Sequence, residues 1–214
     1  MNNWQEITRP EKPLTQVFPE CALTDLSHFG LIRISGSDSR AFLQGQLTND
    51  INAVTPELAQ FRSYCNPKGR MLGSFWIFQR DEDLYLQLPA ELLESVLKRL
   101  RMFVLRSDAR LHDASTELAR FAISGDCAAE LLPFAPGDDK ACLTREQTTI
   151  IRLPGDRPRF ELIGPPQILA QTWRRLLDTA EQTGPDFWSL MDIRAGMPTV
   201  FEDTLEAFVP QMAN

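Results

Sequence analysis

Apolar residues along this chain switch between alternation and a spacing of three to four, and each switch marks an element. Leu31-Ile32-Arg33-Ile34-Ser35-Gly36 predicts a strand. Ser37 and Asp38 then offer side-chain oxygens to cap a helix whose apolar positions are Ala41, Phe42, Leu43, Leu47 and Ile51. Phe61, Ser63 and Cys65 alternate with Arg62 and Tyr64. Met71 to Phe78 is apolar on both faces except at Gly73 and Ser74, the pattern of a strand covered on two sides. Gln79 to Asp83 is a polar turn before Leu84-Tyr85-Leu86-Gln87-Leu88, so Phe75 to Leu88 predicts a hairpin. Pro89 opens a helix with Leu92, Leu93, Val96, Leu97 and Leu100 on one face and Glu91, Glu94, Lys98 and Arg99 on the other. A short strand and a turn are expected between Arg106 and Ser115. Met1 to Leu23, with prolines at 10, 13 and 19, predicts an irregular arm laid over the domain.

The same order then recurs. Phe121-Ala122-Ile123-Ser124-Gly125 echoes Ile32-Arg33-Ile34-Ser35-Gly36 at a spacing of 89 residues, and Leu131-Leu132 falls where Phe42-Leu43 fell. A helix is expected from Asp126 to about Phe134, strands at Thr149–Leu153 and Arg159–Ile163, and a helix from about Pro166 to Glu181. Asp186 to Pro198 has helical spacing with a glycine and proline stop. Each half reads as strand, helix, hairpin, helix, the order of a ferredoxin-like or split βαβ layer. The competing explanation is two similar strand-to-helix turns arising from local propensity. The expected fold class is α+β with two ferredoxin-like layers. The expected divisions are an arm over 1–22, a first layer over 23–115, a second over 116–200 and a tail over 201–214.

A chain of 214 residues, 43% of them hydrophobic, buries a substantial core in one large or two small domains. A formal net charge of -7 and no long basic tract argue against direct nucleic-acid binding. No signal-like start or membrane-length apolar run is visible, so no membrane partner is expected and a cytoplasmic location is the default. Cysteines at 21, 65, 127 and 142 have no zinc-knuckle or redox-pair spacing and read as buried free thiols. His28 and His112 stand apart from other ligand types, so no metal site is expected.

Two stretches carry candidate chemistry. Asn66-Pro67-Lys68-Gly69-Arg70 is a tight turn between strands that presents two cations to an anion, or is an ordinary solvated hairpin turn. Gln44-Gly45-Gln46-Leu47-Thr48-Asn49-Asp50 either satisfies a helix terminus or hydrogen-bonds a heterocycle.

Four segments, in order and at comparable spacing, resemble the YgfZ family, folate-binding relatives of the glycine cleavage system T-protein. They are Ala41 to Asp50, Asn66 to Met71, Ile193-Arg194-Ala195-Gly196-Met197-Pro198, and Phe208-Val209-Pro210-Gln211. The resemblance runs from about Leu23 to Asn214. It implies two α/β domains that frame a folate site, completed in the family by a C-terminal β-barrel. It also implies a role in assembly or repair of iron-sulfur clusters in client enzymes, including those that modify tRNA.

Tetrahydrofolate or a one-carbon derivative is the implied cofactor. By chemical type, Asn49, Asp50 and Asn66 would bond the pterin or line the pocket, Trp76 would stack, and Lys68 or Arg70 would meet the glutamate tail. Arg194 stands near the Ala-Gly pair where the transferase has an acidic pterin contact. The transferase aspartate that assists attack on the aminomethyl group corresponds to Gly73 and Ser74, so no catalytic residue is assigned. The family's Lys-Gly-Cys-Tyr-x-Gly-Gln-Glu motif and its barrel are expected to be missing from these residues. The alternatives are a folate-dependent aminomethyl or one-carbon transferase and a non-catalytic interaction module.

Overall fold

The first strand of the chain lies where no strand is expected. The computed structural model describes residues 4–10 and 18–213, so parts of the expected arm, 1–3 and 11–17, lie outside the described residues. In chain order the first half contains α1 (Trp4–Ile7), β1 (Cys21–Asp25), β2 (Phe29–Ser35), α2 (Ser39–Gln44), β3 (Gln60–Cys65), β4 (Met71–Arg80), β5 (Asp83–Pro89), α3 (Ala90–Met102) and β6 (Arg110–Asp113). The second contains β7 (Ala119–Gly125), α4 (Ala128–Leu131), β8 (Cys142–Arg145), β9 (Thr148–Leu153), β10 (Arg159–Gly164), α5 (Pro166–Leu176), β11 (Glu181–Thr183) and α6 (Pro185–Arg194). Single 3-10 turns lie between α2 and β3 at Ile51–Ala53 and after α6 at Glu202–Thr204 and Pro210–Met212.

The described residues fall into two units, one within Phe29–Ser115 and Pro198–Asn214, the other within Met1–His28 and Thr116–Met197. The first holds a sheet in the order β3-β4-β5-β2-β6, and the second a sheet in the order β11-β1-β7-β10-β9-β8. Read from opposite ends, the two orders coincide strand for strand, with β8 for β3, β9 for β4, β10 for β5 and β7 for β2. The place of β6 in the second sheet is taken by β1, and β11 adds a parallel edge strand beside it. The duplication is therefore real in topology, and one strand of the second copy comes from the N-terminus.

Gly36 and Gly125, 89 residues apart, explain how the exchange is accommodated. Both have positive φ, 109° and 117°. A Cβ at Gly36 would collide with the carbonyl oxygen of Asp108, just before β6, and one at Gly125 would collide with that of Glu20, just before β1. At the end of each copy's first strand only glycine lets the neighbouring backbone approach.

Several expected boundaries shift. The arm expected through Leu23 ends in β1, whose Cys21, Ala22, Leu23 and Thr24 are all buried between β7 and β11. Residues 23–28, expected in the first layer, thus belong to the second sheet's unit, and those from Pro198 on belong to the first sheet's unit. The helix expected to reach Ile51 ends at Gln44 with Gly45 as its C-cap, and the chain after it turns through Asn49 at φ 66°. The helix expected to reach Phe134 is one turn long. Leu132 is extended, as the residue before a proline prefers, and Pro133 follows it. α5 stops at Leu176, and residues 181–183 form β11.

Cys21 and Cys127 form a disulfide, with Cα atoms 5.9 Å apart. The expectation of four free thiols holds only for Cys65 and Cys142. A separation of 106 residues gave no local spacing from which to read the pair.

Helices α2 and α3 cover one face of the first sheet. Phe42, Leu43, Leu92, Val96, Leu97 and Leu100 pack there with Ile32, Ile34, Phe75, Ile77, Leu84 and Leu86. The α3 stripe is buried as its periodicity predicts. Alternation then sends Trp76, Phe78, Tyr85 and Gln87 to the other face, where all four are also buried.

Candidate functional site

The turn between β3 and β4 is built around one side chain. Asn66 Oδ1 accepts the backbone N–H groups of Lys68 at 2.8 Å and Arg70 at 3.0 Å, while Asn66 donates its own N–H to the Arg70 carbonyl at 2.8 Å. Gly69 completes the turn at φ 76°. Asn66 is thus committed to folding the turn. Arg70 Nη1 donates to the Ala207 carbonyl at 2.8 Å, and Met71 exchanges backbone bonds with Glu206 and Phe208, so the strand's start is stitched to the C-terminal segment. Lys68 is exposed and makes no ion pair among the described residues.

From this turn β4 leads to Trp76. Trp76 sits opposite Phe61 on β3 and Gln87 on β5, its ring 5.5 Å from Phe61 in an edge-on arrangement. Ser63 and Ser74 pair on the same face, one step towards the turn. Ser74 Oγ accepts the backbone N–H of Val200 at 2.9 Å. Gly73 lies on the helix face instead, where an added Cβ would stand 3.1 Å from the Phe75 ring. Of the two positions set against the transferase aspartate, only Ser74 shares a face with Trp76, and its hydroxyl holds the chain at Val200.

The loop of Asn49 and Asp50 is tied to β3 by Thr48. Its N–H donates to the Ser63 carbonyl at 3.0 Å, and its hydroxyl accepts the Ser63 N–H at 3.1 Å. Asp50 Oδ1 accepts the Asn52 N–H at 2.9 Å, capping the following 3-10 turn. Both expected contact residues are exposed. Asp50 also acts on Arg62 of β3, whose guanidinium is held below its ordinary pKa by burial while Asp50 pulls the other way. Arg62 Nε is buried with no hydrogen-bond partner among the described residues.

Six of the expected site residues, Asn49, Asp50, Asn66, Lys68, Arg70 and Trp76, belong to the first sheet's unit. Trp76 lies on the face away from the helices, and the other five sit in the turns at the β3–β4 edge. Arg194 belongs to the other unit, where it pairs with Asp156 and lies over the Phe18 ring at 5.1 Å. Sequence reading missed Arg62 and Gln87. Gln87 had a signal, since it alone interrupts the apolar run Leu84 to Leu88. Arg62 had none, because a cation in an alternating edge strand ordinarily faces solvent.

Two α/β units with open sheets put this chain in the fold class of the glycine cleavage aminomethyltransferases. The crystal structure of glycine cleavage system aminomethyltransferase T from Bartonella henselae matches with a TM-score of 0.71 at 17% identity, over 83% of this chain and 50% of that one. The sequence model of the GCVT N-terminal domain matches residues 2–142, and the chain belongs to that family. It is 30% identical to the tRNA-modifying protein YgfZ of Colwellia psychrerythraea over 97% of this chain and 64% of that protein. It is 27% identical to the protein of the same name from Photorhabdus laumondii subsp. laumondii over 94% of this chain and 62% of that protein. The chain therefore spans less than two thirds of the length of these relatives. No described helix is long and apolar enough to cross a membrane.

Proposed function

We propose that this chain forms the folate-binding part of a YgfZ-type protein that supports iron-sulfur cluster assembly or repair in client enzymes, among them enzymes that modify tRNA. The observation that carries this reading is the course of β4, which joins a cationic turn at Lys68 to an aromatic and polar face at Trp76, Phe61, Gln87 and Ser63. Six residues of strand at about 3.3 Å each set Trp76 roughly 20 Å from Arg70. An elongated ligand with a planar heterocycle at one end and carboxylates at the other fits that division. The residues suit folate in kind: among the described residues Lys68 is a cation without an ion pair and Arg62 Nε a buried donor without a hydrogen-bond partner, and Trp76 brings a largely buried indole ring.

In this reading Asn49 and Asp50 supply hydrogen-bonding groups at the β3 edge, and Asn66 shapes the turn rather than touching the ligand. Arg70 divides its guanidinium between Ala207 and the ligand tail. Arg194, in the other unit and paired with Asp156, takes no part in this reading. Folate, when bound, supplies one-carbon carrier chemistry at its ring nitrogens. Ser74 brings neither a carboxylate nor a free hydroxyl to that chemistry, which favours holding the ligand over turning it over.

Titration calorimetry with tetrahydrofolate tests the site. Binding that Lys68→Glu and Trp76→Phe each weaken by about tenfold, equivalent to ~1.4 kcal/mol, supports it. Binding indifferent to both substitutions overturns the site. The client role is tested separately, by whether the chain restores tRNA modification in cells lacking the host's own YgfZ.

A further inference from the structure

The C-terminal end of α3 and the loop after it carry a charge opposite to that of the chain. Between residues 98 and 110 stand five cations, Lys98, Arg99, Arg101, Arg106 and Arg110, and one carboxylate, Asp108, in a chain of formal net charge -7. Some of these cations are occupied. Arg110 pairs with Asp108 at 2.9 Å, Arg101 donates to the Leu111 carbonyl, and Arg99 lies over the Tyr64 ring at 6.0 Å. Lys98 and Arg106 are exposed and make no ion pair among the described residues.

Among these cations the loop exposes large apolar side chains. Met102 is 58% exposed, Phe103 44% and Leu105 86%. Leu105 also has φ 48°, a left-handed conformation that costs a side-chain-bearing residue about 1–2 kcal/mol. The loop thus holds its most exposed leucine in an unfavourable backbone conformation. Two concavities flank it. One is lined by Leu105, Arg106, Ser107 and Asp38, the other by Leu97, Lys98, Arg101, Met102 and Glu94.

We infer that this loop is a docking surface for a protein partner presenting an acidic amphipathic segment, with large apolar side chains flanked by carboxylates. The apolar residues of such a segment enter the two concavities against Leu105 and Met102, and its carboxylates meet Arg106 and Lys98. A flat anionic lipid surface fits less well, since it meets a carboxylate beside the cations in each concavity, Asp38 and Glu94. A phosphate backbone meets the same carboxylates and the acidic remainder of the chain. An acidic peptide places its carboxylates one by one, and opposite charges across such a rim steer association and fix register. The surface is distinct from the Trp76 face and the Lys68 turn, so the inference stands apart from the proposed ligand site.

The test places a photo-reactive benzoylphenylalanine at Leu105 in the full chain, irradiates producing cells and identifies the cross-linked peptides by mass spectrometry. The expected result is cross-linking to protein segments that combine carboxylates with large apolar residues, reduced about tenfold when Lys98→Glu and Arg106→Glu are added together. Both positions are exposed, and unchanged thermal unfolding of the doubly substituted chain establishes that the loss is local. Cross-links confined to a second copy of this chain, to lipid or to RNA overturn the inference, as do cross-links that persist after charge reversal or an absence of cross-links.

Discussion

The backbone N–H of Val200 donates to the Ser74 hydroxyl at 2.9 Å, in buried surroundings. One hydroxyl therefore fixes where the chain re-enters the first sheet's unit after α6. Ser74→Ala leaves that N–H without its acceptor, and an unmet buried donor costs about 1–3 kcal/mol. Urea unfolding of the alanine variant is expected to show a lower midpoint with an unchanged slope. A midpoint equal to the parent's would mean that Val200 finds another acceptor.

Gly36 and Gly125 are expected to be far less replaceable than Gly69, although all three have positive φ. At Gly69 an added Cβ meets nothing within 4 Å, so Gly69→Ala costs only the left-handed conformation, about 1–2 kcal/mol. At Gly36 and Gly125 it meets backbone carbonyls that cannot rotate away. Alanine there adds an overpacking cost of about 1–3 kcal/mol to the same conformational one. Thermal melts of the three single variants give the order directly.

Arg159 is fully buried on β10, 2.8 Å from Asp192 of α6, with its guanidinium 5.0 Å from the Trp188 ring and Nε on the Pro154 carbonyl at 2.7 Å. Burial raises the Asp192 carboxyl above its usual range, against the pull of Arg159. Asp192→Asn strands a buried guanidinium and is expected to cost about 3–5 kcal/mol. Arg159→Met combined with Asp192→Leu is expected to cost less than the sum of the single changes. A denaturant double-mutant cycle measures the coupling.

His28 sits beside Asp25 and Arg120, and burial lowers its pKa from the ordinary 6.5, with Asp25 opposing the shift. The unfolded chain thus binds a proton at this residue at higher pH than the folded chain does. The stabilising contribution is present above pH 6.5 and is lost as pH falls from there through the lowered folded value. Urea unfolding at a series of pH values from 8 to 5 is expected to show this decline in the parent and a flatter profile in His28→Gln.

Much of the architecture could be read from side-chain periodicity alone. The stripe of four leucines and one valine on α3, the hairpin of β4 and β5 and the echo of Ile34-Ser35-Gly36 in Ile123-Ser124-Gly125 are built from local patterns, and each became the element it implied. Elements too short to show a period were lost, among them β8 and β11, and the helix expected over 126–134 shrank to the four-residue α4. The site was legible to the same extent. The Lys68-Gly69-Arg70 turn stands out in sequence because turn chemistry is local, whereas the role of Arg70 in holding Ala207, 137 positions away, is not written nearby.

The sequence by itself determined the repeated strand and helix order, the buried stripe, the cationic turn and the family resemblance, because each is built from short local patterns, recurring or standing in a fixed order along the chain. Only the tertiary structure decided that β1 fills the second copy's vacant strand position, that Cys21 meets Cys127, and that Ser74 rather than Gly73 shares the Trp76 face. Each of these depends on which distant segments meet and which way a strand's pleat turns. Hydrogen-bond satisfaction and close packing across long separations settle those choices, and single-chain periodicity does not record them.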